Sequence, residues 1–269
     1  MEALCADNRL LKGSLKMSFT VEKASMWKRI SAYLFDIILV ITLAVGIGTA
    51  LSAVTGYDGY NDTFFQISQQ YEEQYGVKFE VTAEEWEKLT QAEIDQYNTA
   101  YEAFTKNEEA MYAYNMIISL MMVITSVSVL LAYLVWEFAL PLWLKNGQTL
   151  GKKVFNIGLM RSDGVRVTPF MMFVRTVLGK YTIETMIPLL VGLMIFFGTI
   201  GVVGPTIVLV LLVIQLVLVI ASHNKTAIHD FIAHTVVVDL SSQLVFDTPE
   251  ELVAYKQKIA AEKAAKQDY

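Results

Sequence analysis

Three stretches of this chain, residues 33–54, 116–144 and 183–222, are too long and too apolar to belong to a water-soluble domain. A helix rising 1.5 Å per residue needs roughly 20 apolar residues to cross a hydrocarbon layer about 30 Å thick. The first stretch carries a single charge, Asp36, and the second a single charge, Glu137. The third carries only Glu184, and its middle, from Gly198 to Pro205, collects the residues that end one helix and start another. It reads as a hairpin of two spans, which makes four transmembrane helices. The 54% hydrophobic content agrees with an all-α polytopic membrane protein. A net charge of -6 excludes a generally basic nucleic-acid binder. The single cysteine, Cys5, excludes an internal disulfide, a cysteine zinc site and an iron–sulfur cluster.

Orientation follows from where lysine and arginine fall outside the spans. Six precede the first span (Arg9, Lys12, Lys16, Lys23, Lys28, Arg29), and seven separate the second from the third (Lys145, Lys152, Lys153, Arg161, Arg166, Arg175, Lys180). Residues 55–115 hold three lysines against thirteen acids, and the turn near Gly201 has no charge. Both termini are therefore expected on the cytoplasmic side of the cell membrane. A cleaved signal peptide ending near Gly48-Thr49-Ala50 is the competing reading, disfavoured by Asp36 and by the later spans. The first sixteen residues show no periodic pattern, so either Met17 is the translation start or a short cytoplasmic tail precedes it.

The segment 55–115 is polar yet patterned, and predicts a small helical insert on the extracytoplasmic side. Thr82-Ala83-Glu84-Glu85 and Thr90-Gln91-Ala92-Glu93 are both capping boxes, each followed by helix-spaced apolar or aromatic residues. Its acids and tyrosines could concentrate cations, form a partner surface or simply face water. Asp58-Gly59-Tyr60-Asn61-Asp62 lacks the spacing and bidentate glutamate of a calcium loop. His223, His229 and His234 lack the i,i+4 spacing of a helical metal motif. Neither a metal nor a cofactor is expected.

Between the second and third spans, residues 155–161 alternate as a strand, Asp163-Gly164 signals a tight turn, and residues 165–167 can return. The β-branched run 236–239 should join that hairpin in a small cytoplasmic sheet. Thr168-Pro169 reads as a cap and first helical position, opening a helix that lies along the inner interface with Arg175 and Lys180 at lipid phosphates. Gly147-Gln148-Thr149-Leu150-Gly151-Lys152 has the wrong spacing for a phosphate loop. Thr248-Pro249-Glu250-Glu251 predicts the start of a tail helix. The resulting boundaries are 1–28 for the N-terminal segment, 29–54 for the first span, 55–115 for the insert and 116–144 for the second span. The remainder divides into a loop at 145–182, a transmembrane hairpin at 183–222, a strand-bearing segment at 223–240 and the tail at 241–269.

Several ordered blocks resemble the RDD family of membrane proteins. Arg29-Ile30-Ser31-Ala32-Tyr33-Leu34-Phe35-Asp36 is similar to that family's opening pattern. Gly147 to Lys153, the Asp163-Gly164 turn and Arg175 resemble its central block, and Ile228-His229-Asp230 with Thr235 to Val238 its closing one. Phe231 stands where the family usually has a basic residue, and His234 where glycine is common. The resemblance implies a multi-pass membrane domain and no assigned activity.

Arg29, Ala32 and Asp36 share one helix face, because three and seven steps of about 100° return near the start. An ionised aspartate at mid-depth costs roughly 2.5–3.5 kcal/mol on insertion scales, so Asp36 is expected to face the bundle and a partner. Threading then predicts one charged cluster of Arg29, Asp36, Asp230 and Arg175, with Glu137 a weaker relay candidate near water at the inner interface. The cluster reads either as paired charges that fix helix packing or as a relay for protons or cations. The corresponding functions are transport of protons, cations or a small solute, or a non-catalytic membrane partner of another protein. An enzyme is not expected, since no nucleophile, base and orienting group occur together at recognisable spacing. The bilayer is the expected partner, with another protein or a second copy of the chain as further candidates.

Overall fold

In the computed structural model, residues 22–144, 146–198, 201–221 and 226–267 are described. Cys5, Met17, Arg9, Lys12, Lys16, Lys145 and His223 lie outside them. The elements in chain order are α1 (Met26–Thr55), α2 (Tyr57–Tyr75), α3 (Ala83–Trp86), α4 (Gln91–Thr105), α5 (Glu108–Trp143) and α6 (Leu150–Val154). They continue with β1 (Ile157–Arg161), α7 (Pro169–Phe196), α8 (Val203–Ala221), α9 (Ile228–Ile232), β2 (Thr235–Asp239) and α10 (Pro249–Gln267). Among the described residues α1, α5, α7 and α8 are the four helices long and apolar enough to cross a membrane. Their large apolar side chains point outward: Ile38 is 63% exposed, Leu212 61% and Ile220 68%. That much contiguous apolar surface needs hydrocarbon around it.

The chain divides into two compact units, one formed by residues up to Thr42 and from Leu130 onward, the other by Leu43–Val129. The second holds α2, α3, α4 and the adjoining ends of α1 and α5. Both expected capping boxes are formed, Thr82 with Glu85 and Thr90 with Glu93. Hydrogen bonds from the threonine backbone and side chain hold both carboxyls below the usual glutamate range. The core of this unit is aromatic: Phe104 meets Phe64 at 5.5 Å, Tyr71 at 5.6 Å and Phe79 at 5.1 Å between ring centroids, over buried Ile67 and Ala110.

The first unit contains the antiparallel pair β1–β2, with Ile157 opposite Asp239 and Arg161 opposite Thr235. Leu159, Met160, Val236 and Val238 are fully buried, as the β-branched run requires of a strand packed on both faces. The chain entering α1 lies along β2, where the Ala24 amide donates to the Val237 carbonyl at 3.1 Å. The expected return strand 165–167 is reduced to isolated bridges, Met160 with Arg166 and Val165 with Phe246. The Arg166 amide turns to the Phe246 carbonyl at 2.8 Å. The tail helix starts where expected, the Glu251 amide donating to the Thr248 hydroxyl.

The helix opening at Thr168-Pro169 departs from expectation. It does not end as a separate interfacial helix but continues as α7 through a π-helical stretch, Val174–Met186, into the third apolar segment. Arg175 and Lys180 are accordingly buried, at 1% and 5% exposure, rather than placed among lipid phosphates. The extra residue per turn of a π-helix re-aims side chains, which turns both cations inward. A second π-helical stretch, Leu134–Ala139, precedes Pro141 in α5. Pro141 has no N–H to offer the Glu137 carbonyl four residues back, and the Thr176 hydroxyl donates to that carbonyl at 3.0 Å.

Helix α9 packs directly on α7 at Gly179, where a Cβ would stand 2.5 Å from His229 Cβ and 2.6 Å from its Cα. Gly192, on the same helix, has open space at that position. Gly179→Ala is expected to lower the thermal stability of the detergent-purified protein by about 1–3 kcal/mol. Gly192→Ala should leave it unchanged or raise it by up to about 1 kcal/mol. Equal melting temperatures for the two variants would contradict this packing.

Candidate functional site

The charged residues of the first unit converge because three elements deliver them to one place. The π-helical stretch of α5 supplies Glu137, that of α7 supplies Arg175 and Lys180, and the short helix α6 supplies Lys152. Lys180 Nζ donates to Glu137 Oε1 at 2.5 Å. Lys152 Nζ and Arg175 Nη1 each stand 3.7 Å from Glu137 Oε2. The Glu137 side chain is 3% exposed. The sequence placed it near water as a secondary candidate, whereas it is the buried centre of three cations.

Arg175 reaches a second carboxylate, its Nε donating to Asp230 Oδ1 at 2.8 Å. The same oxygen accepts from the Thr235 hydroxyl at 2.8 Å. Asp230 leads on to His229, whose Nε2 is 3.4 Å from Asp230 Oδ2 and whose Nδ1 is 2.7 Å from Glu184 Oε2. The His229 amide also donates to Glu184 Oε1 at 3.1 Å. Glu184, His229, Asp230, Arg175, Glu137 and Lys180 thus form one connected series. Burial raises the Asp230 carboxyl, but the Arg175 guanidinium and His229 outweigh it and hold the group well below the usual carboxylate range. Burial lowers the Lys152 ammonium to about 8 against the opposing attraction of Glu137.

Asp36 is buried at 2% exposure and faces the first unit's interior. Among the described residues its hydrogen-bond partners are a threonine and a glycine amide rather than the arginines of the expected cluster. The Gly151 amide donates to Asp36 Oδ1 at 2.9 Å, and the Thr149 hydroxyl donates to Asp36 Oδ2. Thr149 in turn accepts from the Lys152 amide at 3.3 Å. Asp36 therefore fastens the N-terminal turn of α6 to α1 and sets where Lys152 begins. The contact is tight enough to demand glycine: a Cβ on Gly151 would meet the Ala32 carbonyl oxygen at 2.4 Å and the Asp36 carboxyl at 2.9 Å. Arg29 donates from Nη2 to the Val237 carbonyl at 3.0 Å, joining α1 to β2. An open cavity of about 320 Å³ is lined by Arg29, Asp36, Lys152, Arg175, Lys180 and Asp230, among others.

Sequence reasoning missed Lys152 and Lys180 as members of this site, and gave Glu184 and His229 no role in it. The signal for the lysines was their place between the second and third spans, which also fits topology anchors. The backbone turn that buries Lys180 is a property of the π-helix and left no composition mark. Lys152 gives a test by pH. Between about pH 8 and the ordinary value of 10.5, the unfolded chain holds a proton that the folded chain has released. Stability from this group therefore rises with pH across that window. Wild type should gain about 2 kcal/mol on Lys152→Met between about pH 7 and pH 9.5, read from denaturation curves. A difference that is constant with pH would contradict the assignment.

A family description, the RDD family, matches residues 23–234. No curated protein and no solved structure matches the chain.

Proposed function

The chain belongs to the RDD family of membrane proteins, and from that premise we propose that it carries protons, cations or a small solute across the cell membrane through its first unit. The observation that supports this is the buried series from Glu184 through His229, Asp230 and Arg175 to Glu137 and Lys180. Ionisable groups inside apolar helices are costly to bury, and such chains are the usual form of proton and ion pathways in membranes. Here His229 has a carboxylate at each ring nitrogen, so it can take a proton on one side and release it on the other. Lysine and arginine density before α1 and between α5 and α7 supports an orientation with both termini in the cytoplasm. No enzymatic step is proposed.

A second reading is a non-catalytic partner of another membrane or extracytoplasmic protein. It is favoured by aromatic side chains exposed on the second unit, Phe65, Tyr101 and Tyr112, since exposed aromatics are enriched at protein interfaces.

Purified protein in proteoliposomes, with an imposed proton or alkali-cation gradient and an internal fluorescent reporter, separates the two. Wild type is expected to dissipate a gradient. His229→Gln, which keeps a polar side chain but cannot relay a proton, should reduce proton flux at least about tenfold without loss of folded protein. Absence of flux under every gradient, together with a stable co-purifying protein, would favour the partner reading.

A further inference from the structure

We propose that a cavity of the second unit, lined by residues of α3, of α4 and of the segments before each, binds a small zwitterion of the amino-acid class: an ammonium, a carboxylate and an apolar body. The proposal goes beyond the transport reading and concerns the second unit alone, so its test reads binding rather than flux.

The cavity has a volume of about 360 Å³, at the small end of the roughly 300–1,000 Å³ that ligand pockets span. Its apolar side chains, Val77, Val81, Leu89 and Tyr97, are all half-buried. The charges around them are of both signs. Residues 55–115 hold three lysines against thirteen acids, yet two of those lysines, Lys78 and Lys88, line this one cavity together with Glu80, Glu85 and Glu93. All five charged residues are exposed. Among the described residues neither lysine side chain makes a hydrogen bond or an ion pair. The two capping-box glutamates are held in place instead. Glu85 Oε2 accepts from the Thr82 amide at 2.9 Å and hydroxyl at 2.8 Å. Glu93 Oε2 accepts from the Thr90 amide and hydroxyl, both at 2.7 Å. Each box fixes one carboxylate oxygen and leaves the other, Oε1, without a hydrogen-bond partner among the described residues. Those residues also contain no group of histidine, cysteine, aspartate and glutamate arranged to hold a metal ion. An anion alone would meet three glutamates and a cation alone two lysines, and like charges set side by side cost affinity. A zwitterion answers both signs. Its ammonium donates to Glu85 and Glu93, and its carboxylate accepts from Lys78 and Lys88, in charge-assisted hydrogen bonds. Its apolar body rests on Val77, Val81 and Leu89. A free amino acid and a short peptide present the same chemistry.

Equilibrium binding of tritiated L-leucine to the full chain in lipid nanodiscs tests this. Wild type should bind leucine saturably. Isocaproate, which lacks the ammonium, and isopentylamine, which lacks the carboxylate, should each compete at least about tenfold more weakly than leucine. Lys78→Met combined with Lys88→Met should weaken binding at least about tenfold, and so should Glu85→Gln combined with Glu93→Gln. Glutamine keeps both capping boxes while removing the charge, so the second pair reads the ligand contact rather than the fold. Lys106→Met, at the third lysine of the segment, which does not line the cavity, should bind as wild type does. Tighter displacement of the probe by leucyl-leucine than by leucine assigns the site to short peptides, and the reverse order to free amino acids. Should a variant fail to fold, the competition series on wild type decides. Absence of saturable binding by both leucine and leucyl-leucine, competition by either single-charge analogue equal to that of leucine, or unchanged affinity in either double variant would overturn the site.

Discussion

Glu137, with Lys180 Nζ at 2.5 Å and both Lys152 and Arg175 at 3.7 Å, is the contact on which the rest of the first unit depends. Three cations buried within a few ångströms of one another would repel strongly in a medium of low dielectric. One carboxylate at their centre makes the arrangement tolerable, and it ties α5, α6 and α7 together. Asp230 relieves Arg175 from the other side and connects the group to α9 and β2. The small sheet then secures the chain that leads into α1, through Ala24 and Arg29 on Val237.

Backbone geometry makes this convergence attainable. The π-helical stretches occur at Leu134–Ala139 and Val174–Met186, where the ion-bearing side chains lie. Pro141 keeps its place in α5 because Thr176 serves the Glu137 carbonyl. Two glycines then allow backbones to touch: Gly151 against Ala32 and Asp36, and Gly179 against His229. The same feature positions the side chains and closes the packing, so charge placement and helix packing are one problem in this fold.

Much of the architecture was legible in the sequence because it rests on long-range patterns of hydrophobicity. Four helices long and apolar enough to cross a membrane, the two capping boxes of the helical segment between the first two and the pairing of the β-branched run 236–239 with β1 all follow from run length, cap chemistry and β-branching. The site was legible only in part. Asp36, Arg175 and Asp230 stood out as charges next to or within apolar segments, and the structure places them with Arg29 around one cavity. Their partners could not be read, since Asp36 bonds a threonine and a glycine amide more than a hundred residues away. Glu137 looked interfacial because a helix of ordinary pitch carries it toward the membrane edge, while π-helical winding and packing bury it. Lys180 and Arg175 looked like lipid anchors because an amphipathic segment after Thr168-Pro169 does not reveal that its helix continues to Phe196.

The most direct test of the central claim is a double-mutant cycle on Glu137 and Lys180, with folding stability of the purified protein measured by denaturation. Glu137→Gln alone leaves three buried cations without their shared carboxylate and is expected to cost about 3–5 kcal/mol. Combining it with Lys180→Met removes one of those cations, so the double variant should be more stable than the sum of the single changes predicts, by about 1 kcal/mol or more. Additive effects, agreeing within about 0.5 kcal/mol, would show that the two groups do not act as a pair and would contradict the account.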